Sequence, residues 1–143
     1  LSLLTLTLLH PTPLTLTLLT TSILNSVLGK FLKKVLNSPR PLHSPLTETG
    51  GGMPSSHALA LGYISTSLTY LYSLNISASV FIFMYGFVGL YYRVVVNLHT
   101  KSQVIVGYVI GVINSITVYR FTSLGSYLQE GFEEAIGEVV PRE

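Results

Sequence analysis

Between Thr49 and Tyr92 the chain runs for 44 residues without a Lys, Arg, Asp or Glu, and apolar side chains dominate the run. One crossing of a bilayer takes about 20 residues, so this stretch is too long for a single span and fits two. Its most polar spot is SLNIS, Ser73 to Ser77, which predicts a tight turn between a helix over 56–73 and a helix over 77–94. A second uncharged run, Ser102 to Tyr119, predicts a helix over 101–120. Upstream, Leu14 to Phe31 is apolar enough for a further helix over 14–36, with Pro11 and Pro13 marking its start.

Three segments do not follow that pattern. TLTLL, at 5–9 and again at 15–19, alternates with the period of a strand, so residues 1–9 stay ambiguous. NSPRPLHSPLTETGGGMP, Asn37 to Pro54, is a loop by its Pro, Gly, Ser and Thr content. In the tail, Leu128, Phe132, Ala135 and Ile136 recur at helical spacing with acids between them, which predicts a short amphipathic surface helix. The reading is an all-α integral membrane helical bundle of about four transmembrane helices. A membrane-embedded domain covers 1–121 and an acidic tail covers 122–143. Because the chain opens on Leu1 and not Met, its domain is read as open to N-terminal truncation or processing.

Composition agrees. The chain is 48% hydrophobic and 10% charged, where soluble domains carry about 25% charged residues. It has no Cys, which excludes disulfides. It has no Asp, and five of its six Glu lie in the last 14 residues. A carboxylate-ligated metal site in the apolar body is therefore not expected. No cofactor and no nucleic-acid partner are expected either.

The spans carry a geometric consequence. A hairpin out and back returns the chain to the face it left, so His57 and Arg93 share one membrane face. Helix one delivers Lys33 and Arg40 there, and helix four departs from it after His99. Lys33, Arg40, Ser55, Ser56, His57, Arg93, His99 and Gln103 thus converge. Three cations, two hydroxyls and two imidazoles make an anion site with a candidate nucleophile. Arg offers a planar fork to phosphate oxygens and Lys a point charge. PSSH, Pro54 to His57, opens a helix, where unpartnered N–H groups and the dipole favour an anion. Ser55 or Ser56 either caps that helix or binds a phosphate oxygen. The glycines before it let backbone approach a ligand closely. His57, in the first turn, is placed to protonate a leaving oxygen. His99 and Gln103 are one helical turn apart, so the Gln103 carbonyl can fix the imidazole tautomer and leave the other nitrogen nucleophilic. Arg93 precedes His99 by six residues, which breaks helical phase and predicts a helix end near Asn97. Lys30, Lys33 and Lys34 also fit the ordinary role of interfacial anchors.

KKVLNSPRP from Lys33, PSSH, and RVVVNLH together resemble the three-part signature of the phosphatidic acid phosphatase type 2 superfamily: K-x6-R-P, P-S-x-H and S-R-x5-H-x3-D. The resemblance covers about residues 20–120. It implies a helical fold and metal-free hydrolysis of phosphate esters or anhydrides through a phosphohistidine. It implies His99 as nucleophile, His57 as general acid, and Lys33, Arg40, Arg93 and Ser55–Ser56 as holders of the phosphate. Tyr92 stands where the signature has Ser, and Gln103 where it has Asp. LHTKSQVIVG is similar to the H-T-x-x-Q-V version of two branches, the plastid (epsilon-type) lipid phosphate phosphatases and the dolichyl diphosphatases, with GMPSSHA closer to the plastid one. The expected activity is hydrolysis of phosphatidate to diacylglycerol in a plastid envelope. The alternatives are a polyisoprenyl diphosphate phosphatase of the endoplasmic reticulum membrane and an inactive membrane protein that binds lipid phosphate.

Overall fold

The computed structural model describes residues 5, 12–42, 44, 51–71 and 73–139, with the backbone alone at 13, 14, 71, 124 and 127–139. The ambiguous stretch 1–9 lies almost wholly outside the described residues. Four helices follow one another: α1 (Pro13–Leu36), α2 (Ser56–Leu71), α3 (Ile76–Val95) and α4 (Lys101–Val139). No strand occurs among the described residues.

The helix ends have local causes. α1 starts at a capping box: the Thr15 N–H donates to the Thr12 hydroxyl at 3.1 Å and the Thr12 N–H to the Thr15 hydroxyl at 3.0 Å, with Pro13 next in line. It stops at Asn37, in the left-handed region at φ 35°, a conformation Asn tolerates better than most side chains. The turn expected at 73–77 is present: Ser73 sits at φ 47°, and the Asn75 side chain accepts the Ala78 N–H at 2.8 Å to cap α3.

One boundary differs from expectation. The helix read over 101–120 does not end there; α4 continues unbroken to Val139. Between Tyr119 and Gly131 the sequence has no proline and a single glycine, Gly125, so nothing stops the hydrogen-bond ladder. The placement of Leu128, Phe132, Ala135 and Ile136 lies outside the described side chains.

Thr15–Leu36, Ile76–Val95 and Lys101–Ser123 are long and apolar enough to cross a membrane. α2, at 16 residues, reaches about 24 Å and is the central helix, packed against the other three. The bundle is apolar on the outside: Phe31 is 61% exposed, Phe81 72% and Val88 62%. Such a surface is stable only against lipid tails. Inside, small and polar residues replace a large oily core, as expected where lipid removes the hydrophobic drive between helices. Gly107 and Gly111, a G-x-x-x-G pair that the sequence reading passed over, bring α4 against α2. A Cβ on Gly107 would lie 2.7 Å from the Ser55 carbonyl oxygen, and one on Gly111 would lie 2.7 Å from the Tyr63 nitrogen and overlap the Leu59 carbonyl. Hydrogen bonds then cross the bundle. Asn114 donates to the Asn25 side-chain oxygen at 2.8 Å, the Ser67 and Ser115 hydroxyls pair at 2.8 Å, and the Thr21 and Tyr63 hydroxyls pair between α1 and α2.

Gly111→Ala is expected to cost about 1–3 kcal/mol, because the added methyl meets backbone that cannot step aside. Thermal unfolding in detergent should show a clearly lowered midpoint. Gly125→Ala, whose Cβ would have nothing within 4 Å, should match or exceed the parent.

Candidate functional site

α3 ends where the six-residue spacing between Arg93 and His99 demands it. Asn97 adopts φ 54°, and the N–H groups of Leu98 and His99 both turn back to the Arg93 carbonyl, at 3.1 and 3.3 Å. The break expected near Asn97 is therefore a closed turn that stitches His99 to the last turn of α3. It also lifts His99 off the helix and seats it, 4% exposed, just before α4 begins.

The imidazole of His99 is held at one nitrogen. Its Nδ1 lies 3.0 Å from the Gly52 carbonyl oxygen and 3.2 Å from Gln103 Oε1. The Gln103 amide is itself oriented by two further bonds: the Thr100 N–H donates to Oε1 at 3.1 Å, and Nε2 donates to the Pro39 carbonyl at 2.7 Å. With two acceptor oxygens at Nδ1, the proton sits there and Nε2 keeps its lone pair. Burial pushes the His99 pKa below the ordinary imidazole value, and the positive charges of Arg40 and Lys33 push the same way. The bonds to Gln103 and Gly52 oppose them. The net result is a neutral imidazole with a defined tautomer.

Gln103 joins three segments. It is 2% exposed, and its backbone carbonyl accepts the Ser55 N–H at 3.0 Å, tying the mouth of α2 to the first turn of α4. The glycines before PSSH serve this packing. A Cβ on Gly52 would stand 2.5 Å from Gln103 Nε2, and one on Gly51 would stand 2.6 Å from the Lys33 carbonyl oxygen. The Gly52 N–H donates to the Ser38 carbonyl at 2.6 Å. The close approach expected of these glycines is thus to α1 and Gln103, protein against protein; Gly50 lies outside the described residues.

The two serines separate. Ser55 is fully buried and caps α2, its hydroxyl accepting the Ala58 N–H at 3.5 Å. Ser56 and His57 are exposed on the first turn. Around them stand the cations: Lys33 in the last turn of α1, Arg93 in the last turn of α3, and Arg40 in the loop after α1, its Nε and Nη1 buried. The charges of Arg93 and Lys33 bear on His57, and those of Arg40 and Lys33 on His99. The structure brings together all eight residues singled out in the sequence. It adds the Gly52 and Pro39 carbonyls and the Thr100 N–H. Those are main-chain groups and carry no side-chain signal; the glycine run was their sole trace. Among the described residues no three His, Cys, Asp or Glu side chains cluster as metal ligands would.

Residues 12–125 match the model of the PAP2 superfamily. The chain is 37% identical over 123 residues to "Lipid phosphate phosphatase epsilon 1, chloroplastic" of Arabidopsis thaliana, covering 80% of this chain and 42% of that protein. It is 36% identical over 118 residues to "Lipid phosphate phosphatase epsilon 2, chloroplastic" of the same plant, covering 71% and 41%. The chain thus spans less than half the length of these two relatives. In fold it is similar to the first transmembrane PAP2 type phosphatidylglycerolphosphate phosphatase from Bacillus subtilis, with a TM-score of 0.66 at 19% identity, over 82% of this chain and 63% of that one.

Proposed function

The chain belongs to the PAP2 superfamily, and from that membership we propose that it is an integral membrane lipid phosphate phosphatase that converts phosphatidate to diacylglycerol through a phosphohistidine. The observation that carries the reading is the fixed tautomer of His99: Nδ1–H is bound by Gly52 and Gln103, which leaves Nε2 as a neutral nucleophile amid three cations. Nε2 attacks phosphorus, the bond from phosphorus to the glycerol oxygen breaks, and His57 gives its proton to the departing oxygen. Lys33, Arg40, Arg93 and Ser56 hold the phosphate oxygens, and Ser55 orients the helix mouth where N–H groups favour the anion. Water, deprotonated by His57, then attacks phosphorus; the P–N bond breaks and inorganic phosphate leaves. The names of the two plant relatives support a lipid phosphate as substrate and a plastid membrane as the location.

The test is an assay of purified protein in detergent against phosphatidate and dolichyl diphosphate. Phosphate release is expected from phosphatidate at the higher kcat/KM, and excess chelator should leave the rate unchanged, because the attacking group is a side chain. Vanadate should inhibit by adopting the five-coordinate geometry of transfer. A faster diphosphate reaction would reassign the substrate, and activity lost to chelator but restored by magnesium would remove the mechanism.

A further inference from the structure

α4 begins with two bonds that answer each other. The Thr100 hydroxyl accepts the Gln103 N–H at 3.3 Å, and the Thr100 N–H donates to Gln103 Oε1 at 3.1 Å. The Thr100 carbonyl accepts the Val104 N–H at 3.2 Å, the first bond of the helical ladder. Thr100 is therefore the N-cap, and Gln103 the third helical residue, of a capping box. The oxygen that closes the box also faces His99 Nδ1, at 3.2 Å, so Gln103 Oε1 takes protons from two consecutive residues. We propose that this box seats the nucleophile, and that Thr100 is a positioning residue that acts on His99 through Gln103. The proposal rests on the phosphohistidine reading above.

Three observations carry it. The first is burial. Thr100 is exposed, whereas Gln103 and His99 are buried, so the Thr100 hydroxyl adds nothing to the core. What it holds is the backbone from which the Gln103 side chain departs; its other partner, the Ser102 hydroxyl at 2.9 Å, lies on the same first turn. The second is where the box places the imidazole. The N-cap is where the chain leaves helical geometry, so His99, one residue earlier, stands outside α4 while Gln103 reaches back to it. The other ties of Gln103, to the Pro39 carbonyl and the Ser55 N–H, come from distant segments and hold it in the bundle. The box fixes where its oxygen lies relative to His99. The third is residue choice. A capping box takes Glu or Gln at its third helical position. Gln gives Nδ1–H a neutral acceptor and keeps a donor for Pro39, which accounts for Gln103 where the signature has Asp.

The experiment uses the full chain in detergent with isotope-labelled histidine. It reads the nitrogen NMR signals of the His99 ring, identified by their loss in His99→Ala, together with kcat, KM and the pH profile. The parent is expected to show a protonated Nδ1 and a bare Nε2. Thr100→Val keeps the side-chain shape and removes the hydroxyl. Its Nδ1–H share should fall, and kcat should drop about fivefold, the worth of one N-cap hydroxyl, with KM little changed. The bond from Gln103 raises the His99 pKa against the charges of Arg40 and Lys33, so loosening it should move the acid limb of the profile down. Thr100→Ser keeps the cap and should restore signals, kcat and profile together. Gln103→Leu already breaks the box, so adding Thr100→Val to it should cost about twofold at most. The same fivefold loss on both backgrounds would make the two residues independent and overturn the proposal. So would parent-like ring signals in Thr100→Val, or a raised KM at unchanged kcat, which would place Thr100 on the substrate. Thermal unfolding is followed alongside, and Thr100→Ala is read by the same criteria if the valine chain does not fold. The ring signals need no turnover, so the expected pattern supports the box even where phosphate release fails, and that failure counts against the chemistry alone.

Discussion

His99→Ala is expected to lower phosphate release by about 10⁴-fold or more, the scale seen when a covalent nucleophile is removed. An acid-labile phosphoprotein, trapped from the parent by rapid quenching, should be absent from the variant. The size follows from the arrangement at the imidazole. Nδ1 is committed to the Gly52 carbonyl and Gln103, so in the proposed mechanism Nε2 is the one nitrogen of His99 left to take the phosphoryl group, and alanine removes it. His57→Ala should behave differently. It removes proton transfer, worth about 10²–10⁴-fold, and the loss should shrink for substrates with good leaving groups that need no proton. His99→Ala also leaves the Gly52 carbonyl without its partner, so unfolding in detergent should be followed alongside; a parent-like midpoint with no turnover separates chemistry from folding. Parent-like turnover in His99→Ala would end the phosphohistidine mechanism for this chain. The pH profile gives an independent check. In the proposed mechanism the attacking form is neutral, and burial with Arg40 and Lys33 lowers the His99 pKa. The acid limb of kcat/KM should therefore fall below the ordinary imidazole value of about 6.5, and activity should persist to lower pH than an exposed histidine would permit.

The parts of the molecule that were legible in the sequence are those set by periodicity and charge. The uncharged run Thr49–Tyr92 had to hold two helices, although of these only Ile76–Val95 is among the helices long and apolar enough to cross a membrane, and once a hairpin was placed at SLNIS the charged ends of three helices had to meet. Asn97 illustrates the same logic at residue scale: a spacing of six between Arg93 and His99 is out of helical phase, and the chain answers with a left-handed residue. What was hidden is main-chain chemistry and close packing. The Gly52 carbonyl on His99 and the Pro39 carbonyl on Gln103 depend on how two loops fold over α1, and no side chain announces them. Gly107 and Gly111 were visible as letters, but their meaning depends on the Ser55 and Leu59 backbone lying opposite. The end of α4 was misjudged because a change from apolar to acidic composition marks an interface with water and need not end a helix.

Gln103→Leu is expected to lower kcat about 10²-fold, through loss of the acceptor that orients His99. The structure makes that loss larger than a tautomer argument alone. The buried amide serves three partners, His99 Nδ1, the Thr100 N–H and the Pro39 carbonyl, and leucine would leave the last two unsatisfied at about 1–3 kcal/mol each. Gln103→Asp tests the electrostatic half of the role. A carboxylate at Nδ1–H favours the imidazolium, so the His99 pKa rises and the acid limb of the profile moves up. The same change removes the donor to Pro39 and shortens the side chain by one methylene. The loop that carries Arg40, one residue after Pro39, then loses its tether, and KM should rise several-fold while kcat falls less. Gln103→Glu sharpens the contrast: it keeps the length but sets a carboxylate oxygen against the Pro39 carbonyl, where the amide now donates at 2.7 Å. Its KM should exceed that of the Asp variant, with the same upward move of the acid limb. Variants of Asp and Glu with an unchanged pH profile and an unchanged KM would mean that Gln103 neither tunes His99 nor holds the Arg40 loop. In that case Gln103 would be packing alone.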